Sequence, residues 1–346
     1  MIFFNNDYST GCHPEVLQAL CDTNMDQTSG YGMDPYCAYA ADLIKDACGN
    51  HNLDVHFLVG GTQTNMTVIH AALRPHQGVI SAATGHIHVH ETGAVEATGH
   101  KVIALPSEDG KLSAQQIHSA VLKQRLDEAA EHIVQPKMVY ISHPTELGTL
   151  YSLAELKEIS EVCKSLGVYL FLDGARLGYG LTAAGADITL RDLAQLCDVF
   201  YIGGTKVGAL FGEAVVIANP AIGEDFRYMI KQHGGMLAKG RLLGVQFAAL
   251  FKNDLYFRIA KQANTYADTI RNTLRDLGYT FLVETTSNQI FPILPDVLLE
   301  ELKNNFTFSH QERISETTRA VRFCTSWSTT EAQVTAMCEE ITRLSK

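Results

Sequence analysis

The sequence lacks most of the features that would place it outside the ordinary soluble enzymes. It has no basic excess: 27 Lys and Arg stand against 38 Asp and Glu, a formal net charge of -11. That balance excludes a general nucleic-acid binder, which would carry a basic stripe. It also excludes an anionic membrane surface as a partner. No apolar run approaches the ~18 residues that a membrane-spanning helix requires. The opening MIFFNNDYSTG has no basic stretch and too short an apolar run for a signal peptide, so a cytoplasmic location is expected. The eight cysteines (Cys12, Cys21, Cys37, Cys48, Cys163, Cys197, Cys324 and Cys338) show no CxxC or other zinc spacing. They read as reduced, mostly buried thiols. Internal repeats and low-complexity segments are also absent.

What remains is ordinary in composition. A chain of 346 residues, 46% hydrophobic and 19% charged, suits a large domain plus a smaller one. Pro14 and Pro35 open helices near 14–22 and 35–48. VHFLV (55–59) reads as a buried strand that breaks at Gly60-Gly61-Thr62, after which 63–73 looks helical. Strands near 78–82 and 101–105 flank a helix around 86–97. A helix from Ser113 to about 131 and a strand at 137–142 follow. Ser152 and Glu155 form a capping box for a helix over 153–166, and EAVVIA (213–218) is a further strand. Residues 240–277 are helical, and beyond Gly278 short strands (279–283, 288–293, 319–324) and helices (295–304, 330–345) alternate. The expected fold is α/β: a large domain over 1–240 with a mainly parallel sheet, then a small α+β domain over 241–346.

The most informative stretch runs from Gly167 to Gly212. Val168–Leu172 is an apolar run that stops at Asp173, and the run after Asp198 stops at Gly203-Gly204-Thr205-Lys206. With a Gly-rich turn and a short helix between them, this is a βαβ unit. Ligands of parallel sheets collect at the carboxyl ends of the strands, so Asp173 and Lys206 are candidates for one site. An acid for a pyridinium nitrogen and an amine for a Schiff base are what pyridoxal 5′-phosphate (PLP) requires. Taken alone, Lys206 reads more commonly as a solvated loop lysine, and Asp173 as a partner of Arg176 or a cap for the following turn.

Further pieces are of the same kind. Gly60-Gly61-Thr62 follows a strand and opens a helix, a turn whose free N–H groups suit a phosphate. It is neither a Walker A loop nor G-x-G-x-x-G; an ordinary capped turn is the other reading. His86, His88 and His90 invite a metal site, yet no Cys or Asp ligand set and no HExxH pattern accompanies them. An imidazole laid on the cofactor ring suits His86 better, and no metal is expected. Arg322 lies on the buried-looking face of a strand over 318–324, where a guanidinium demands an anion. A substrate carboxylate or an internal glutamate would each supply it.

Taken in order, these pieces resemble the low-specificity L-threonine aldolase family, within the β-eliminating lyases of PLP fold type I. The resemblance rests on Asn6-Asp7, Gly32-Met33-Asp34-Pro35, Phe57 through Asn65, His86 through Gly93, Asp173-Gly-Ala-Arg176, Lys206 and Val321-Arg322. It implies a PLP-dependent transferase-like fold and PLP as cofactor, with Lys206 as the Schiff-base lysine and Asp173 on the pyridine nitrogen. It further implies Gly61 and Thr62 as the phosphate cradle, and His86 stacked on the ring. By the same resemblance Arg176 and Arg322 bind the substrate carboxylate, and Asn6 stands where the family has an assisting serine. Tyr31 is similar in place to a tyrosine that reaches a neighbouring subunit's site, so a homodimer or homotetramer is implied. The reaction implied is Cα–Cβ cleavage of threonine or allo-threonine to glycine and an aldehyde, with β-elimination on another amino acid as the alternative. Three departures bear on the substrate. Glu146, in His143-Pro-Thr-Glu146, replaces a histidine near the β-hydroxyl, the loop after Lys206 is shortened, and Gly234-Gly235-Met236 runs on to Lys239 rather than to an arginine. His86, His143, Glu146 and a water are all left open as the base.

Overall fold

The computed structural model describes all residues, Met1–Lys346. A two-residue strand, β1 (Ile2–Phe3), opens the chain. Then come β2 (Asp54–Leu58), β3 (Gln77–Ala82), β4 (Lys101–Leu105), β5 (Gln135–Ser142), β6 (Tyr169–Asp173), β7 (Val199–Gly203) and β8 (Glu213–Ile217). These last seven form one sheet in the order β2-β8-β7-β6-β5-β3-β4. Neighbours from β7 through to β4 pair in parallel. β8 alone runs against its neighbours, pairing antiparallel with both β2 and β7. The short Gly203–Gly212 connection explains this, because a hairpin reverses direction whereas a parallel return needs a crossover of a dozen residues or so.

Both faces of the sheet are covered, as a parallel sheet demands. Alternation along the strands sends Val139, Ile141, Leu170, Leu172, Phe200 and Ile202 to one core. Met138, Tyr140, Phe171, Val199, Tyr201 and Val215 go to the other, beneath Val68 and Ile69 of the helix Gly61–Ala72. A period of two explains the division: neighbouring residues of a strand cannot face the same side. Ser142, Asp173 and Glu213 continue the second set, which is what gathers polar groups at one corner of the sheet.

The C-terminal part builds a smaller antiparallel sheet from β9 (Gln289–Ile290), β10 (Ile293–Pro295), β12 (Ser309–Arg313) and β13 (Thr318–Cys324). Between them β11 (Phe306–Thr307) pairs with β1. A third core lies here, and Phe4 from the start of the chain belongs to it. The helix Leu255–Asp276 spans two cores: Leu255 to Ala263 lie in the first, Ala267 to Leu274 in the third. No linker separates them.

Several expected elements differ. The helix over 86–97 is two single-turn helices, His86–Val89 and Ala94–Ala97, split where Thr92 and Gly93 adopt left-handed φ values of 54° and 73°. The polar helix from Ser113 stops at Arg125. The 240–277 helix divides at Asn253 and Asp254, both at φ 55°. The strand near 279–283 reduces to one bridge, Phe281 to Pro292. β12 goes unseen in the sequence because SHQER is polar and mostly exposed, so it carries no alternating apolar signal.

One glycine is required where Asp173 leaves the sheet. A Cβ on Gly174 would collide with the carbonyl oxygen of Tyr201 on the adjacent strand, and Gly203 N–H donates to the Gly174 carbonyl at 2.9 Å. Backbone cannot yield as a side chain can. Gly174→Ala is therefore expected to cost about 3 kcal/mol or more, read as a lowered urea midpoint.

Candidate active site

The polar corner opens into a cavity of about 320 Å³ lined by Gly60, Gly61, Thr62, Asn65, His86, Glu146, Asp173, Arg176, Thr205, Lys206 and Glu213, among others. Six chain segments bring these residues together: five at the carboxyl ends of β2, β3, β5, β6 and β7, and the sixth at the start of β8.

Asp173 is the most constrained group. Its Oδ1 accepts from the Tyr201 hydroxyl and, at 2.9 Å, from the Ala175 N–H. Its Oδ2 accepts from the Tyr140 hydroxyl and, at 3.2 Å, from the Asn65 amide. Burial and the Asp173 charge push both phenols well above their usual range, so they act as donors. Asn65 also donates to Glu91 Oε1 at 2.7 Å, and that oxygen meets His86 Nδ1 at 2.7 Å. The imidazole is thus oriented by a buried carboxylate that is itself tied to Asp173.

Lys206 sits on a loop closed on itself. Gly204 N–H and Thr205 N–H both donate to the Gly212 carbonyl, at 2.9 and 3.1 Å. Gly212 N–H returns to Thr205 Oγ1 at 3.0 Å, and the Tyr179 hydroxyl holds the Lys206 carbonyl at 2.6 Å. The amine itself makes no ion pair. Burial and the Arg176 guanidinium hold it below the usual lysine range, against the opposing charges of Asp7, Asp173 and Glu213. An amine so placed is a nucleophile nearer neutral pH.

The helix Gly61–Ala72 starts at the cavity with no capping side chain and no acidic residue in its first turn. Thr64 N–H is the first to bond back, to Gly60, which leaves the N–H groups of Gly61 and Thr62 for an anion. These residues fit PLP: an uncapped helix start for phosphate, an unpaired amine, and an acceptor-only carboxylate beyond it.

The remaining sequence-derived candidates fall into two groups. Glu146 lines the cavity; its Oε1 accepts the His86 N–H at 2.9 Å and the Ser142 hydroxyl at 2.7 Å. Burial and the nearby Asp173 charge raise its carboxyl above the ordinary range. Arg176 also lines it, but pairs with Asp7 rather than Asp173: Nε to Oδ2 at 2.7 Å and Nη2 to Oδ1 at 3.0 Å. His143 is buried outside the lining with an unpartnered Nε2, and burial holds it down to about 4. Asn6 spends its Oδ1 on the turn it begins, accepting from Tyr8 N–H and the Ser9 hydroxyl.

Arg322 stands apart from the lining. It donates to Gln289 Oε1 at 3.2 Å and to the Asn5 carbonyl at 3.0 Å, while its buried Nε has no partner. Tyr31 lies on another surface, where it is 47% exposed with Lys231 over its ring. It holds φ at 63°, a conformation that costs a non-glycine residue roughly 1–2 kcal/mol. The rings of His86 and His90 lie 5.5 Å apart, while His88 and His90 are both exposed, and no three such side chains gather as metal ligands.

Sequence reasoning passed over Asp7, Asn65, Glu91, Tyr140, Tyr201 and Glu213. The tyrosines read as apolar strand residues. Only the alternation that puts them on the face of Asp173 distinguishes them.

Comparisons with known proteins agree with one another. Residues 4–295 match the family described as Beta-eliminating lyase. A low specificity L-threonine aldolase from a Pseudomonas species is 31% identical over 98% of this chain and 96% of its own length. A Pseudomonas aeruginosa protein of the same name is 30% identical over the same shares. The solved structure of Leishmania major threonine aldolase is 46% identical, covers 100% of both chains and superposes with a TM-score of 0.97. An aspartate aminotransferase from Thermus thermophilus is only 14% identical but shares the fold, with a TM-score of 0.72 over 99% of this chain and 91% of that one.

The Asp7–Arg176 pair gives an acid-stability prediction. Burial alone would raise Asp7, but Arg176, Lys206 and the Asn288 hydrogen bond bring it down to about 2, from 3.8. A lowered carboxyl contributes stability above its unfolded value and loses it as pH falls through the folded one. Asp7→Asn should lower unfolding free energy by about 2 kcal/mol near pH 6. The two proteins should converge as pH approaches 2, followed by urea denaturation.

Proposed function

The chain belongs to the β-eliminating lyase family, and from that premise we infer that it is a PLP-dependent aldehyde-lyase. It cleaves the Cα–Cβ bond of a β-hydroxy-α-amino acid such as threonine, giving glycine and an aldehyde. The observation that carries this reading is the pairing, in one cavity, of the unpaired Lys206 amine with the four-donor carboxylate of Asp173. When bound, PLP supplies an electron sink for the pair left on the substrate's Cα.

Lys206 would hold the cofactor covalently, Gly61 and Thr62 its phosphate, and Asp173 its ring nitrogen. His86 would lie on the ring, with Glu91 keeping its plane. Arg322 is best suited to the substrate carboxylate, because it has no acidic partner and an unused N–H. Arg176 would assist with what Asp7 leaves free. Cleavage requires a base on the β-hydroxyl. Glu146 and His86 both line the cavity, whereas His143 does not. The raised Glu146 carboxyl, fixed by Ser142 and the His86 N–H, is the better placed to take a proton near neutral pH. Asn6 would act only by setting the turn that carries Tyr8 to the cavity.

Tyr31, strained and outward-facing, supports a site completed by a second copy, in a homodimer or homotetramer. The expected division into 1–240 and 241–346 keeps its two-part form with a later boundary. Phe247 to Ala263 belong to the first core, and the third core, drawn from Phe4 and residues from Ala267 on, supports a boundary inside the helix Leu255–Asp276. No helix is long and apolar enough to cross a membrane. With eight free thiols, a cytoplasmic setting fits.

Three measurements test this. Incubation with threonine, allo-threonine, serine and phenylserine should release glycine and an aldehyde; pyruvate and ammonia instead would establish β-elimination. Lys206→Ala should lose the visible absorption band formed with PLP and lower turnover by on the order of a thousandfold. Survival of the band would remove the lysine from its role. For Glu146→Gln, kcat/KM should fall by roughly a hundredfold and its acid limb should vanish, with PLP affinity unchanged.

A further inference from the structure

Glu213 is the one buried carboxyl of the cavity without a place in the reaction. It is the first residue of β8, the strand that runs against its neighbours. Its register partners are Leu58, the last residue of β2, and Gly203, the last of β7. β2 leads into Gly60-Gly61 and the uncapped helix start, and β7 leads into Thr205-Lys206. Glu213 therefore stands between the anion-binding turn and the lysine loop, 4% exposed and lining the cavity. Its Oε1 accepts the Thr205 hydroxyl at 2.8 Å and its Oε2 the Gly204 N–H at 3.1 Å. No cation lies within ion-pair distance of it.

Building on the PLP reading above, we propose that Glu213 is a positioning residue that acts in its protonated form. From β8 it braces the turn that presents Lys206, and it must carry its proton for the phosphate-bearing cofactor to settle beside it. The groups facing it are Lys206 and Thr205 from the loop, Asp173 from β6, Tyr201 from β7 and Tyr256 from the helix Leu255–Asp276. Arg176 and Asp7, paired with each other, act on Lys206 in opposite directions, the guanidinium lowering the amine and the carboxylate raising it. A second anion here would face the Asp173 carboxylate and, with cofactor present, a phosphate dianion. Burial pushes the Glu213 carboxyl up to about 8, against the Thr205 hydrogen bond and the Lys206 charge that favour ionisation. The sign follows: below that value the neutral acid admits the phosphate, and above it binding must take up a proton.

The test uses 4′-deoxypyridoxine 5′-phosphate, which has the ring and phosphate but no aldehyde, so that condensation with Lys206 does not enter. Its dissociation constant is measured by fluorescence for the apoenzyme and for Glu213→Gln between about pH 7 and about pH 9. The wild-type constant should weaken roughly tenfold more than the variant's across that range, one decade for the unit above the carboxyl's titration. Parallel profiles would overturn the proposal. Should Glu213→Gln not fold, Glu213→Ser serves in its place, with phenolic titrations common to both proteins cancelling in the comparison. Failure of the wild-type protein to bind PLP or its analogue at any pH would instead defeat the cofactor reading itself.

Discussion

A carboxylate held by four donors at the end of a central strand is the constraint on which the rest of this site depends. Asp173 cannot shift without breaking hydrogen bonds to two strands, one helix and its own turn. Leaving any buried donor unmatched costs roughly 1–3 kcal/mol. Tyr140, Tyr201 and Asn65 are thereby locked as well, and through Asn65 and Glu91 so is the plane of His86. Preorganisation of this kind means little reorganisation is needed when charge moves in the cavity.

Much of this was legible in the chain, for a specific reason. Buried strands are apolar throughout, so a strand that ends in Asp173 or runs into Lys206 announces a polar end that the interior has to accommodate. The helix start at Gly61 was legible from glycine placement in the same way. Tyr140, Tyr201 and Glu213 were not, because their partners are set by register between strands distant in sequence. Asp7 sat within a motif whose emphasis fell on Asn6, and only the folded chain shows the carboxylate turned toward Arg176 while the amide stays in its turn. β12 was lost to polarity, which leaves no hydrophobic period to read, and the break at Thr92-Gly93 to left-handed backbone, which does not alter one.

The reversed strand β8 has a double effect. It lets a short loop carry Lys206 back across the sheet, and it places an acid where every parallel strand places a terminus. A parallel strand at that position would have needed a crossover and would have brought its other end, without Glu213, to the cavity. Chain direction here decides the electrostatics of the site.

The pairing of β1 with β11 and of Asp7 with Asn288 has a consequence for biosynthesis. Asp7 and Asn288 are 281 positions apart, and Asn5 meets Arg322 across 317. A ribosome making roughly 5–20 residues per second releases the first residues long before their partners exist. The large sheet can assemble in that interval while residues 2–7 have nothing to dock against. Arg176 would spend it without a settled Asp7 partner, because Asn288, which holds the same carboxylate at 3.0 Å, is among the last fifth of the chain to emerge.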